Sequence, residues 1–183
     1  MKKTLVVLFI LMMVASGLVF ASTEGTDQAT LTLEYTKAIG TSTTIGWYDG
    51  YTSSASPLTA GDFGDGSVTA YLKVTNDYAS SSLALSVVLP DLVAEDNTTI
   101  SYSASLSLPA GVAENAALLS TSTALVSSSS GSALSFATVS KESTLKKTGI
   151  VQFVFEPNSN ALSNATANID YTANVVVTMT SET

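Results

Sequence analysis

The chain has 183 residues, 45% of them hydrophobic and 12% charged, with seven lysines and fifteen carboxylates but no arginine, histidine or cysteine. Without cysteine there is no disulfide framework, thiolate nucleophile or Cys-ligated zinc. Without histidine the commonest general base and metal ligand are missing, and without arginine there is no bidentate phosphate clamp or basic nucleic-acid stripe.

Met1, Lys2 and Lys3 give a positive start, followed by an apolar run from Leu5 to Ala15, the pair Ser16-Gly17, and Leu18 to Ala21. Val19 and Ala21 suit the positions three and one before a signal-peptidase cut. This predicts a cleaved signal peptide over residues 1–21, with Ser22 as the new N-terminus. A retained membrane anchor would need about 20 apolar residues, and Ser16-Gly17 interrupts the run. No cysteine follows to carry a lipid. The expected product is exported to the periplasm, cell surface or medium, with no membrane insertion after cleavage. It would comprise 162 residues with a net charge of −10, the size of a single domain over residues 22–183. Its acidity argues against nucleic-acid partners and anionic membrane faces.

Ser and Thr make up 51 of those 162 residues, a composition shared with disordered stalks. The apolar residues nevertheless recur with period two, the mark of strands with one buried face. In chain order, Leu31, Leu33 and Tyr35 alternate with Thr and Glu. Val68, Ala70, Leu72 and Val74 alternate with Thr69, Tyr71 and Lys73, and Leu83, Leu85, Val87 and Leu89 with Ala84, Ser86 and Val88. Tyr102, Ala104 and Leu106 lie among serines between Ile100 and Leu108. Two weaker strands are expected over residues 117–126 and 133–139, with a helical turn conceivable over 113–119. Val151, Phe153 and Phe155 share a face. Tyr171, Ala173, Val175, Val177 and Met179 form the last set. Asp49-Gly50 and Asp65-Gly66 carry tight-turn chemistry, and Pro90-Asp91, Pro109-Ala110-Gly111 and Glu156-Pro157-Asn158 end strands. The expected fold is all-β, an antiparallel immunoglobulin-like β-sandwich of about seven to nine strands. A closed barrel is the alternative. An outer-membrane barrel would need an apolar lipid-facing side, where this chain carries Ser and Thr.

Few constellations suggest chemistry. Asp62 and Asp65, with Asp49 and neighbouring glycines, could offer oxygen ligands to calcium, but the spacing is not that of an EF-hand loop. A solvated turn is the plainer reading. Trp47, Tyr48 and Tyr51 flank Asp49-Gly50, with Phe63 further on, and could stack on a glycan; the plainer reading makes Trp47 a core residue and the tyrosines braces of a hairpin. A Ser–Lys nucleophile using Lys141, Lys146 or Lys147 has no distinguishing neighbours. Asn97-Thr98-Thr99 and Asn164-Ala165-Thr166 match the N-glycosylation pattern, but the Lys-Lys leader and Ser/Thr-rich composition suggest a bacterial source, where that pattern carries little meaning. No catalytic residue and no cofactor is expected, and the chain is read as a non-enzyme.

The ending Tyr171-Thr172-Ala173-Asn174-Val175-Val176-Val177-Thr178-Met179-Thr180 resembles the closing strand of bacterial surface β-sandwiches, nearest the cysteine-free fimbrial major subunits of the alternate chaperone–usher type. The resemblance implies assembly by strand addition. An early strand over residues 29–36 would enter a neighbour's groove with Leu31, Leu33 and Tyr35 as knobs, and Val175, Val177 and Met179 would line the accepting edge. It also implies that Leu33→Asp spares the monomer and blocks assembly. The expected function is an exported structural or adhesin-like surface protein, with other exported subunits or its own copies as partners. The alternative is a secreted carbohydrate-binding module built on Trp47, Tyr48 and Tyr51.

Overall fold

The computed structural model describes residues 28–37, 44–63, 66–76, 83–109, 124–139, 147–162, 165–166 and 169–181. Among these are twelve strands and one short helix: β1 (Gln28–Lys37), β2 (Thr44–Tyr48), β3 (Ala60–Asp62), β4 (Val68–Asn76), β5 (Leu83–Val88), β6 (Leu92–Ala94), β7 (Thr99–Ile100), β8 (Tyr102–Ser107), β9 (Ala124–Val126), β10 (Ala133–Val139), β11 (Lys147–Pro157), α1 (Ser159–Leu162) and β12 (Asp170–Ser181). They form two facing sheets, so the all-β sandwich expected from the alternation is what the chain adopts. The first sheet runs β10-β5-β12-β1-β3, with β6 and β7 continuing beside β12. The second runs β2-β4-β11-β8-β9. Several of the twelve are two- or three-residue pieces, which is why they exceed the expected number. The segments proposed for the signal peptide, 1–21, and for the helical turn, 113–119, lie outside the described residues. Among the described residues no helix is long and apolar enough to cross a membrane.

Period-two patterning sorts the strands into inner and outer faces, as side chains on a pleated ribbon must. In β5, Leu83, Leu85 and Val87 are buried while Ala84, Ser86 and Val88 are half-buried. In β11, Val151, Phe153 and Phe155 point inward, and an aromatic spine grows from them. Phe153 takes Trp47 edge-on at 5.1 Å and Phe136 edge-on at 5.4 Å, and stacks on Phe155 at 5.7 Å. Phe155 meets Tyr102 at 6.2 Å, and Tyr102 meets Phe63 at 6.2 Å. Phe136 crosses from the opposite sheet because β10 carries a bulge between Ser135 and Ala137, which inserts one residue and turns both Phe136 and Ala137 inward. Each such aromatic pair adds about 0.5–1.5 kcal/mol beyond its burial.

The turns follow from residues that tolerate a left-handed backbone. Gly66 sits at φ 87° and closes a turn by donating its N–H to the Phe63 carbonyl at 2.8 Å. Asn97 at φ 64° links β6 to β7, donating to the Ala94 carbonyl at 3.0 Å. Asp96 locks that turn from outside: its carboxylate accepts the Thr98 hydroxyl, the Thr98 N–H and the Thr166 hydroxyl. Thr98 Oγ1 gives its only proton to Asp96, so the Tyr171 hydroxyl must donate to Thr98 Oγ1, leaving its lone pair for the Thr166 N–H at 2.9 Å. The network fastens the start of β12 to the β6–β7 turn.

Gly61, in β3, meets a different demand. A Cβ there would lie 2.2 Å from Val68 Cγ1 where the two sheets converge. Gly61→Ala is therefore expected to lower stability by about 1–3 kcal/mol, as overpacking does, measured as a reduced denaturant midpoint; an unchanged midpoint contradicts the close approach. The hydrogen bonds from Thr98, hydroxyl first and then amide, hold the Asp96 carboxyl below its usual range. A depressed folded pKa contributes stability above the unfolded value of about 3.9 and loses it as pH falls through the folded one. Asp96→Asn should therefore flatten the acid limb of the stability–pH curve, read from denaturation midpoints between neutral and strongly acidic pH.

Candidate functional site

Two regions gather the residues singled out by the sequence. The first is the seam around β1. This strand pairs with β12 in parallel over its whole length, Gln28 with Asp170 through Lys37 with Met179. On its other side it pairs antiparallel with β3, Leu31 opposite Gly61. That edge extends through Leu33 N–H to the Thr59 carbonyl at 2.9 Å and Phe63 N–H to the Ala29 carbonyl at 3.1 Å. Ala29, Leu31 and Leu33 point into the core and are buried. Tyr35 shares their face by alternation, yet is 51% exposed. Burying Leu31 and Leu33 contributes roughly 1.5–3 kcal/mol each. The parallel direction matters, because parallel neighbours require a long crossover. Here the crossover is the rest of the domain, and no tight turn dictates the pairing. Register comes from alternation alone: a one-residue slip would turn Ala29, Leu31 and Leu33 to water.

The structure thus brings Leu31, Leu33 and Tyr35 opposite Ala173, Val175 and Val177 within a single chain; Val175 and Val177 belong to the edge expected to accept them, whereas Met179 lies opposite Lys37. It corrects one expectation. Leu33 lies in the chain's own sheet, so Leu33→Asp would place a charge in the monomer's core and destabilise it rather than spare it.

The second region is the aromatic cluster. Trp47 is 3% exposed and belongs to the core spine. Its indole N–H donates to the Glu34 carbonyl in β1 at 2.9 Å, tying the two sheets together. The ligand-stacking role read for Trp47 is therefore corrected, because strand alternation sends Trp47 inward and Tyr48 outward. Tyr48 and Tyr51 do lie at the surface, joined by a residue that alternation assigns to the outward row of β4 but not to the cluster. Tyr71 pairs across strands with Tyr48, and Tyr51 tilts onto it at 5.7 Å and 51°. Tyr51 is held there by a loop in which Asp49 and Ser56 exchange bonds: Asp49 N–H to the Ser56 carbonyl at 3.0 Å, and Ser56 N–H to Asp49 Oδ1 at 2.8 Å. Asp49-Gly50 thus opens a longer loop rather than a two-residue hairpin turn. Lys73 Nζ stands 5.8 Å from the Tyr48 ring centre, and Gln152 lies beside Tyr71 on the next strand.

For the calcium reading, Asp62 lies on exposed β3, whereas Asp65 lies outside the described residues. No group of three or more acidic side chains that could hold a metal occurs among the described residues. Of the Ser–Lys candidates, Lys141 and Lys146 also lie outside them, and Lys147 starts β11 opposite Asn76.

One further buried polar group stands apart from both regions. The Tyr102 hydroxyl has no hydrogen-bond partner among the described residues, and burial, then the Asp91 carboxylate, pushes its phenol up. It stays neutral at physiological pH. Nearby, Ser127 donates to Asp91 and accepts the Tyr102 N–H at 2.8 Å, fastening the end of β9.

Comparison with protein-family models gives no match, and comparison with curated proteins finds no similar sequence.

Trp47 gives this geometry an optical signature. Its emission should lie at the blue end typical of a buried indole and resist iodide quenching. Red, readily quenched emission would contradict the placement of the ring.

Proposed function

We propose that the protein is an exported structural subunit of the bacterial surface, adhesin-like in its hydroxyl-rich exposed faces, and that copies join by strand addition. In this reading β1 of one copy leaves its own sheet and enters the groove between β12 and β3 of the next, with Leu31 and Leu33 as the buried knobs and Tyr35 at the rim. The observation that carries the proposal is the ten-residue parallel register of β1 against β12. A terminal strand with no turn to its neighbour can be supplied by any chain presenting the same alternation. Main-chain bonds then give affinity, and the inward side chains give register. Exchange conserves every contact of β1, and a head-to-tail arrangement that does not close on itself grows into an open fibre. The leader-like N-terminus supports export, and the resemblance of the closing strand to fimbrial subunits supports the mode of assembly.

The chain's lack of cysteine makes the test direct. Thr32 and Asn174 are paired across the seam, and both are exposed. In the double variant Thr32→Cys, Asn174→Cys, surface material from exporting cells, run without reductant, should form a ladder of covalent multimers that collapses to monomer on reduction. Monomer alone, carrying an intrachain disulfide, would show that β1 stays at home and would overturn the proposal.

A further inference from the structure

We infer that the tyrosine cluster on the outer face of the five-stranded sheet is a binding site for the pyranose ring of a saccharide. The inference is independent of strand exchange, since β1 lies in the other sheet.

The first support is the contrast between this patch and its surroundings. Outward positions on β8 are serines, Ser103, Ser105 and Ser107. On β2 and β4 the outward row instead carries Tyr48 opposite Tyr71, with Tyr51 folded over from the loop. Three rings from three places in the sequence converge on one spot.

The second support is how Tyr48 lies. A Cβ on Gly46 would come within 3.2 Å of Tyr48 Cε2 and 3.5 Å of its hydroxyl. The ring is therefore laid back along its own strand over the bare glycine, rather than standing out into water. Lys73, opposite Gly46 on β4, reaches over the same ring. A glycine that seats an aromatic ring costs strand stability, and here it yields a low platform.

The third support is the polar rim. Gln152 follows Tyr71 across the sheet, and Ser107 follows Gln152. The Ser107 hydroxyl donates to Gln152 Oε1 at 3.4 Å, which turns the amide nitrogen toward other acceptors. The Lys73 ammonium, standing over Tyr48, supplies a further donor, so Tyr48 braces the patch and Tyr51 and Tyr71 are the rings offered to a sugar. A pyranose has the matching chemistry: one face of C–H groups for the rings and an equatorial fringe of hydroxyls for the border.

Size separates this occupant from a protein. Tyr51, the ring most open to solvent, is 45% exposed. At 150–250 Å² per aromatic side chain, and with Tyr48 and Tyr71 half-buried, the three rings offer at most about 300 Å², against the ~800 Å² per side of a stable protein interface. A patch of that extent suits one or two sugar rings. The chain's acidity disfavours a nucleic-acid base as the stacking partner.

The test is calorimetric titration of the purified protein with cellohexaose, chitohexaose and mannohexaose at millimolar concentrations, repeated for Tyr71→Ala, Tyr51→Ala and, as a control on an exposed position of the other sheet, Val93→Ala. At least one oligosaccharide should bind the wild type. Tyr71→Ala and Tyr51→Ala should each weaken that binding about tenfold, the loss of one aromatic contact, and Val93→Ala should leave it unchanged. Tyr51 sits in a surface loop, so its variant reports on binding even if Tyr71→Ala disturbs the sheet. Failure of all three sugars to bind, or equal binding by the Tyr51 variant, overturns the inference. So does a Tyr51→Ala variant that changes sedimentation and not sugar binding, which would make the patch a protein contact.

Discussion

The parallel pairing of the first described strand with the last one closes the core, and most of the molecule's architecture depends on it. β12 is the longest strand, and it would be an edge without β1. β1 supplies Ala29, Leu31 and Leu33 to the interior, the second edge for β3, and the carbonyl that satisfies the only tryptophan's N–H. An unpaired strand edge beside an apolar groove invites association with other chains. The chain resolves that liability with its own N-terminal segment, and the same liability is what strand exchange would exploit.

Much of this organisation can be read in the order of residues, because alternation over six or more positions is a strong signal and β5, β8, β11 and β12 display it. β10 spans the same residues as expected. The short strands are a different matter. β2 contributes only Ile45 and Trp47 to the interior, around a glycine, so its pattern is too brief to stand out. β3 is Ala60-Gly61-Asp62, with a glycine chosen for proximity to Val68 and no apolar residue larger than alanine. β6 follows Pro90-Asp91, which reads as the end of a strand and turns out to be the joint between two. Pairing is also hidden: period two says which face a residue occupies, never which strand lies beside it. The parallel direction of β1 is invisible for that reason.

The same distinction governs the aromatic cluster. In Trp47-Tyr48 adjacent residues must point to opposite faces, so a cluster read along the chain mixes a core ring with a surface ring. Tyr71 was legible as an outward residue between Thr69 and Lys73, but only the β2–β4 register places it beside Tyr48. Gly46 has no side chain to announce that it seats a ring. Both regions are thus products of strand neighbourhood. One builds an apolar groove filled by the chain itself, and the other gathers tyrosines on the same outer face that carries the serine row of β8.

Amide hydrogen exchange across the seam tests the account most directly. If β1 belongs to the core, the amides of residues 30–35 should be protected to nearly the same degree as those of residues 173–179, both opening only with the global unfolding of the domain. Rapid exchange over 30–35 beside slow exchange over 173–179 would show that the N-terminal strand lies loose on the sandwich, and would contradict the claim that it completes the fold.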